Sequence, residues 1–374
     1  MNLDAVSLTR ELLSFNTVNP PGDERDCAHF VGHLLEAAGY QTNYYEFADK
    51  RATLIARIGG SGDKLPLCFT GHLDTVPLGV APWARDPLAG ESAGDKLFGR
   101  GSSDMKSGVA AMVVMALRVA KLPARKSGVI LVLTAGEETT CEGAHYVAGL
   151  DGVLGRAGAI VVGEPTANAP LIAHKGCVRY AINFKGVAAH GFMPEQGVNA
   201  IYRAAEAVRQ LAALDFAVPT HPFLGKPTLA VTMINGGTAI NMIPAQATIS
   251  LDIRTLPGQT EPEIRQKLIA ALGDDAEFQL IHGAASVGSD ANHEWVQQVY
   301  AIMHRLTGTQ PVPAGATYFT DCSVLTPAYG NPPTLILGPG EPEVAHKTDE
   351  YCYLSKIELA LEAYLAIAKE WCAL

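Results

Sequence analysis

The chain has 374 residues, 48% of them hydrophobic and 18% charged, with 28 basic against 38 acidic side chains and a formal net charge of −10. That length favours two domains over a single core, and the composition suits a soluble globular enzyme. The acidic balance, with no basic cluster, excludes nucleic acid and anionic membrane surfaces as expected partners.

In chain order, the opening MNLDAVSLTRELLSF carries Asp4 and Glu11 and no apolar core, so it reads as an amphipathic helix and not a signal peptide. The longest apolar run, Val109 to Leu117, is too short to span a bilayer. Asp23 to Gly39 has helical spacing and ends in glycine. Runs rich in Val, Ile and Leu at 52–58, 66–71, 128–134 and 158–162 read as strands, with helices Met105–Lys121 and Glu142–Leu150 between them. This alternation predicts an α/β domain around a central mixed sheet.

After Lys175 the texture changes. CVRYAINFKG alternates like a half-exposed strand, Gly197–Leu214 is helical, TLAVTMI and ATISLDIR are strands, Glu261–Leu272 is a helix and AEFQLI a strand. That β-α-β-β-α-β order predicts an inserted ferredoxin-like α+β domain. The tail returns to α/β texture with helix Glu294–Leu306, strand PTLILG and helix Leu354–Trp371. The expected boundaries are 1–174 and 284–374 for the α/β domain and 175–283 for the insertion. The seven cysteines are scattered without a Cys-x-x-Cys pair, which argues against a disulfide framework or thiolate zinc site and for a reducing cytoplasm.

GESAG, residues 90–94, matches a serine-nucleophile motif, but no apolar strand precedes Ser92. It reads as a surface loop. The stronger pattern is that His, Asp and Glu recur where apolar strands run out. LCFTGHLDTVP places His72 and Asp74, GRGSSDMKSG places Asp104, ILVLTAGEE places Glu137 and Glu138, AIVVGEP places Glu164, and GPGEPEVAH places His346. In open α/β sheets, ligands collect outside the carboxyl ends of the strands.

Imidazoles and carboxylates without thiolates suit zinc, cobalt or manganese in an open site. Two histidines with several carboxylates suffice for two ions if Asp104, central in the set, bridges them. Asp74 follows His72 by two and can accept its other ring N–H. In extended or turning backbone, adjacent Glu137 and Glu138 point different ways, so one can ligate while the other takes a proton from water.

With GHLDTVP, GRGSSDMKSG, TAGEETT, VVGEPT and GPGEPEVAHKTDEY in this order, nearly the whole chain resembles the two-zinc aminoacylase and carboxypeptidase family. The resemblance implies a catalytic α/β domain interrupted by a lid and dimerisation domain, a homodimer, and hydrolysis of a linear amide in a small N-acyl amino acid or dipeptide. It implies one metal on His72, Asp104 and Glu164 and another on Asp104, Glu138 and His346, with Glu137 as general base and acid and Asp74 orienting His72. In the insertion it implies that His190 of VAAHGF steadies the oxyanion from a neighbouring subunit, and that Asn241 and Arg254 hold the substrate carboxylate.

WARDPLAG, DIRTLPGQT and ATYFTDCS look most like the acetylornithine deacetylase branch, with Thr320 and Asp321 near the amino-acid end of the substrate. Gly191 and Phe192 depart from the small hydroxyl residues usual after that histidine. A desuccinylase, or a dipeptidase or carboxypeptidase, of the same family is the first alternative. A two-metal phosphoesterase lacks accompanying cations among the motifs, and a non-catalytic metal-binding paralogue would have no need of Glu137.

Overall fold

The apolar runs Leu67–His72, Val129–Thr134 and Ala159–Val162 become adjacent strands in which every residue is buried. Continuous aliphatic strands of this kind require cover on both faces of the sheet. They are β3, β4 and β5 of a six-stranded sheet completed by β1 (Gln41–Ala48), β2 (Arg51–Ile58) and β6 (Thr334–Ile336), in the order β1-β2-β4-β3-β5-β6. β3 to β6 run parallel, while β2 is antiparallel to β4 and β1 to β2. β1 escapes detection in the sequence because QTNYYEFA is a mostly polar, half-exposed edge strand without a clear period of two. These elements belong to a computed structural model that describes residues 3–122, 125–273 and 276–373.

The strand order positions the site. From β3 the chain passes through helix Lys106–Ala120 to β4 on one side, then crosses to β5 on the other. Connections that diverge in this way leave a crevice at the carboxyl ends of the parallel strands. In register, His72 lies opposite Thr134, and Thr70 lies opposite Val162, so the loops after all three strands emerge together. Helix Lys106–Ala120 is buried on nearly all sides and packs against helices Ala5–Ser14 and Leu354–Cys372. Gly108 lets its first turn press on the end of β5, since a Cβ there would stand 2.3 Å from the Gly163 carbonyl oxygen.

The chain divides into two compact units: one runs to Ala173 and includes Gly288–Ala314 and the residues from Thr320 onward, and the other holds His174–Val287 with Gly315–Phe319. The second unit is an antiparallel four-stranded sheet in the order Thr228–Gly236, Gln246–Thr255, Gly176–Lys185, Ala276–Ala284. Alternation sends Val178, Tyr180, Ile182 and Phe184 into a core with Ile249, Leu251 and Ile253, against Ala204 and Leu211 of helix Ala200–Ala212 and Ile264 and Leu268 of helix Glu261–Leu272. Asn199 caps the first helix, and Thr260 with Glu263 forms a capping box on the second. The connectivity is ferredoxin-like. Among the described residues, no helix is long and apolar enough to cross a membrane.

Gly108→Ala is expected to cost about 2 kcal/mol or more through overpacking against backbone. Gly59→Ala, where a Cβ meets nothing within 4 Å, should stay within about 0.5 kcal/mol of the parent. Urea denaturation of both compares them, and equal effects would show that the helix does not press on β5.

Candidate metal centre

His72, the last residue of β3, is fully buried, and its ring is pinned from both sides. Its Nδ1 lies 2.9 Å from the main-chain oxygen of Asp74 and 3.4 Å from that residue's carboxylate. Its Nε2 lies 3.1 Å from Oδ1 of Asp104 and 3.8 Å from Glu164. The other oxygen of Asp104, Oδ2, is 3.2 Å from Nε2 of His346, which is also 3.1 Å from Glu138. Asp104 therefore stands between two imidazoles with one oxygen toward each.

Donor atoms of His72, Asp104 and Glu138 lie within 4.8 Å of one another, as do those of His72, Glu137 and Glu164. Such imidazole and carboxylate sets suit divalent cations. Because His72 belongs to both sets and Asp104 spans both histidines, the donors form one continuous cluster.

Asp74 does more than face His72. Glu137 and Glu138 begin a one-turn helix, Glu137–Thr140, so the extended or turning backbone expected there is helical. The Asp74 carboxylate accepts both their N–H groups, at 3.1 and 3.2 Å, and a third hydrogen bond from Asn19 Nδ2 at 2.9 Å. Burial disfavours its charge, but His72, Asn19 and the Glu137 amide together hold its carboxyl below the ordinary range.

The other acids are less well answered. Burial pushes Glu137 and Glu164 well above the carboxylate range and raises Glu138, each aided by a neighbouring carboxylate. His346, hydrogen-bonded to Asp104 and Glu138, is raised to about 10. Burial would lower His72, yet Asp104, Asp74 and Glu164 carry it well above its usual value. Asp104 is held low by the two histidines despite its own burial. The site concentrates negative charge that only positive charge relieves.

Other expected residues lie elsewhere. Thr320 is fully buried and its hydroxyl accepts the Cys322 N–H. It thus accepts from the first residue of helix Cys322–Ala328, just before that helix begins. Beside it, Asp321 accepts the hydroxyl of Thr134, and burial raises its carboxyl to about 6. In the second unit, His190 is exposed on the short strand Ala189–His190, its ring 4.4 Å from that of Phe192. The Asn241 main-chain oxygen accepts the Gly191 N–H at 2.7 Å. Arg254 is engaged by Asp252, two residues back on its strand, at 2.8 Å. Ser92 is exposed in a short pairing of Ser92–Ala93 with Lys96–Phe98, not in a strand-to-helix elbow.

The sequence reading passed over Asn19, Arg100 and Glu350. Arg100 and Glu350 stand inside the quoted GRGSSD and HKTDEY motifs, where a charged residue destined for full burial was the available signal. Asn19, in TVNPPG, carries no such mark.

With this geometry in place, comparison with known proteins is informative. A model of the peptidase family M20/M25/M40 matches residues 68–370. An acetylornithine deacetylase of Proteus mirabilis is 30% identical, over 98% of this chain and 96% of its own. A probable succinyl-diaminopimelate desuccinylase of Staphylococcus epidermidis is 29% identical, over 97% of each. The fold is shared with an M20 family metallo-carboxypeptidase of Sulfolobus solfataricus, at a TM-score of 0.79, 16% identity and full coverage of both chains. It is shared too with a dinuclear metal-binding peptidase of Bacillus subtilis, at 0.74, 18% identity and coverage of 97% and 96%.

Asn19→Ala removes one of three donors from a fully buried carboxylate and is expected to destabilise the chain by about 1–3 kcal/mol. Chemical denaturation measures it. No change would mean that Asn19 is dispensable to the Asp74 cap.

Proposed function

The chain belongs to the peptidase family M20/M25/M40 and is a metal-dependent hydrolase of amide bonds, and on that premise we propose that it deacylates an N-acyl-L-amino acid, with acetylornithine the leading substrate. The observation that carries this reading is the placement of Asp104 between His72 and His346, with Glu138 and Glu164 beside them. We assign His72, Asp104 and Glu164 to one cation and Asp104, Glu138 and His346 to a second. Zinc matches these donors best, and cobalt or manganese also suits them.

Two divalent cations bound there would polarise the scissile carbonyl and acidify the attacking water. Glu137 moves the proton. Its carboxylate takes a proton from the water as the water oxygen attacks the carbonyl carbon, then delivers it to the departing amine nitrogen. Asp74 keeps the Glu137–Glu138 turn in place by accepting both its N–H groups. His190 is assigned to the developing oxyanion, and Arg254 with Asn241 to the substrate carboxylate, for which a guanidinium fork is well shaped.

A homodimer fits the second unit. Its edge strand Thr228–Gly236 and helix Ala200–Ala212 expose Met233, Ile234 at 52% and Tyr202 at 74%, an edge with no further strand paired to it among the described residues, beside apolar side chains. A reducing cytoplasm is in keeping with seven cysteines that are all free and buried.

Amine release by the zinc-loaded protein across acetylornithine, other N-acetyl amino acids, N-succinyl-diaminopimelate and dipeptides tests the substrate. Preference for acetylornithine is the expected result, and preference for the succinyl compound would move the chain to the desuccinylase reading. Chelation should abolish turnover and added zinc restore it. Glu137→Ala is expected to lose at least about 100-fold in kcat while keeping both metals, whereas Glu138→Ala should lose one. Equal metal loss in the two variants, read by elemental analysis, would overturn the separate roles.

In sedimentation velocity the parent chain should run as a dimer and Ile234→Asp as a monomer. A monomeric parent would remove the dimer from this reading.

A further inference from the structure

We propose that the buried pair Arg100–Glu350 is a positioning device that sets the backbone of Asp104 and His346, and with it the affinity of the cation these two side chains share. The proposal rests on the ligand assignment above and concerns residues that ligate nothing themselves. Both side chains are buried, Glu350 completely, and they pair directly. The second Glu350 oxygen accepts the N–H groups of Ser103 at 2.8 Å and Asp104 at 3.0 Å. Arg100 spreads over three main-chain carbonyls: Pro77 at 3.0 Å, Lys347 at 3.3 Å and, more loosely, His346 at 3.5 Å. One ion pair thus joins the loop after β3, the glycine-rich turn that ends in Asp104, and the turn that carries His346.

Neighbouring contacts press the same segments together. Tyr351–Tyr353 pairs with Lys96–Phe98, and the Gly99 N–H donates to the Glu350 carbonyl at 3.0 Å. Gly340 approaches so closely that a Cβ there would lie 2.0 Å from the Ser103 carbonyl oxygen, and the Ser103 hydroxyl accepts the Glu341 N–H.

A buried ion pair is poor at adding stability, because desolvation offsets much of its attraction. Its distinctive property is direction. A carboxylate can accept two amides and a guanidinium at once, and a guanidinium can serve several carbonyls in fixed geometry. The site needs that direction most at His346. This residue has left-handed backbone, φ 65°, on a turn, and its side chain is half exposed, so packing does not fix its ring. His72 and Glu164, by contrast, are held at the ends of buried strands. Groups that orient ligands without touching the metal typically alter affinity by about 10- to 100-fold.

The test uses Arg100→Lys, which keeps the charge but loses the fork, and Glu350→Gln, which keeps the volume. Zinc binding is followed by equilibrium dialysis, and cobalt substitution by visible absorption. The parent should bind two equivalents. Each variant should bind the cation assigned to His346 at least about 10-fold more weakly and the other, which shares only Asp104 with it, with a smaller loss. An altered cobalt spectrum, lower kcat and unchanged KM should accompany this.

Fewer than two equivalents in the parent would overturn the ligand assignment and this inference with it. Two equivalents in the parent, with parental affinity and spectrum in the variants and only a lower melting temperature, would overturn the positioning role alone. So would equal weakening of both cations. If Glu350→Gln does not fold, Arg100→Lys decides the question by itself.

Discussion

The structure is organised around the cost of burying carboxylates. Asp74, Asp104, Glu137 and Glu164 are withdrawn from water beside His72, and an ionised carboxyl in such a place must be paired, hydrogen-bonded or neutralised. The protein answers them unequally. Asp74 receives two amides and Asn19, and Asp104 receives two imidazoles. Glu137, Glu138 and Glu164 are left with proton affinities pushed upward. In a metal-dependent hydrolase that imbalance has a chemical purpose, since divalent cations supply the missing positive charge.

Concentrating those groups is a task for backbone. Parallel β3, β4 and β5 deliver three loops to one edge, Gly108 brings the following helix against the end of β5, and Gly340 brings the His346 segment against Ser103. The Arg100–Glu350 pair then spans the gaps between loops with hydrogen bonds to main-chain groups, which leaves the donor side chains free. Rigid strands hold one half of the cluster, and stapled turns hold the other.

The second unit follows a different logic. Its stability comes from an ordinary alternating core, Val178 to Phe184 against Ile249 to Ile253, and His190 and Asn241 sit on exposed backbone outside that core. His190 and Asn241 lie on neighbouring backbone joined by the Gly191 N–H, so Phe192, its ring tilted against that of His190, belongs to the same surface.

The sequence alone determined the mixed α/β sheet, the ferredoxin-like insertion and the residues that converge, because buried strands, alternating strands and strand-end polar residues leave local patterns. His72, Asp104, Glu137, Glu138, Glu164 and His346 were legible because each follows an apolar run or a glycine-rich turn. Only the tertiary structure decided what surrounds them. The capping of Asp74 by Asn19 spans 55 residues and the Arg100–Glu350 pair spans 250, and no local pattern encodes a partner at that separation. The same holds for β1, a polar strand that exists because β2 offers it hydrogen bonds. Periodicity reports what a segment hides from water; which distant group it meets there is settled by packing.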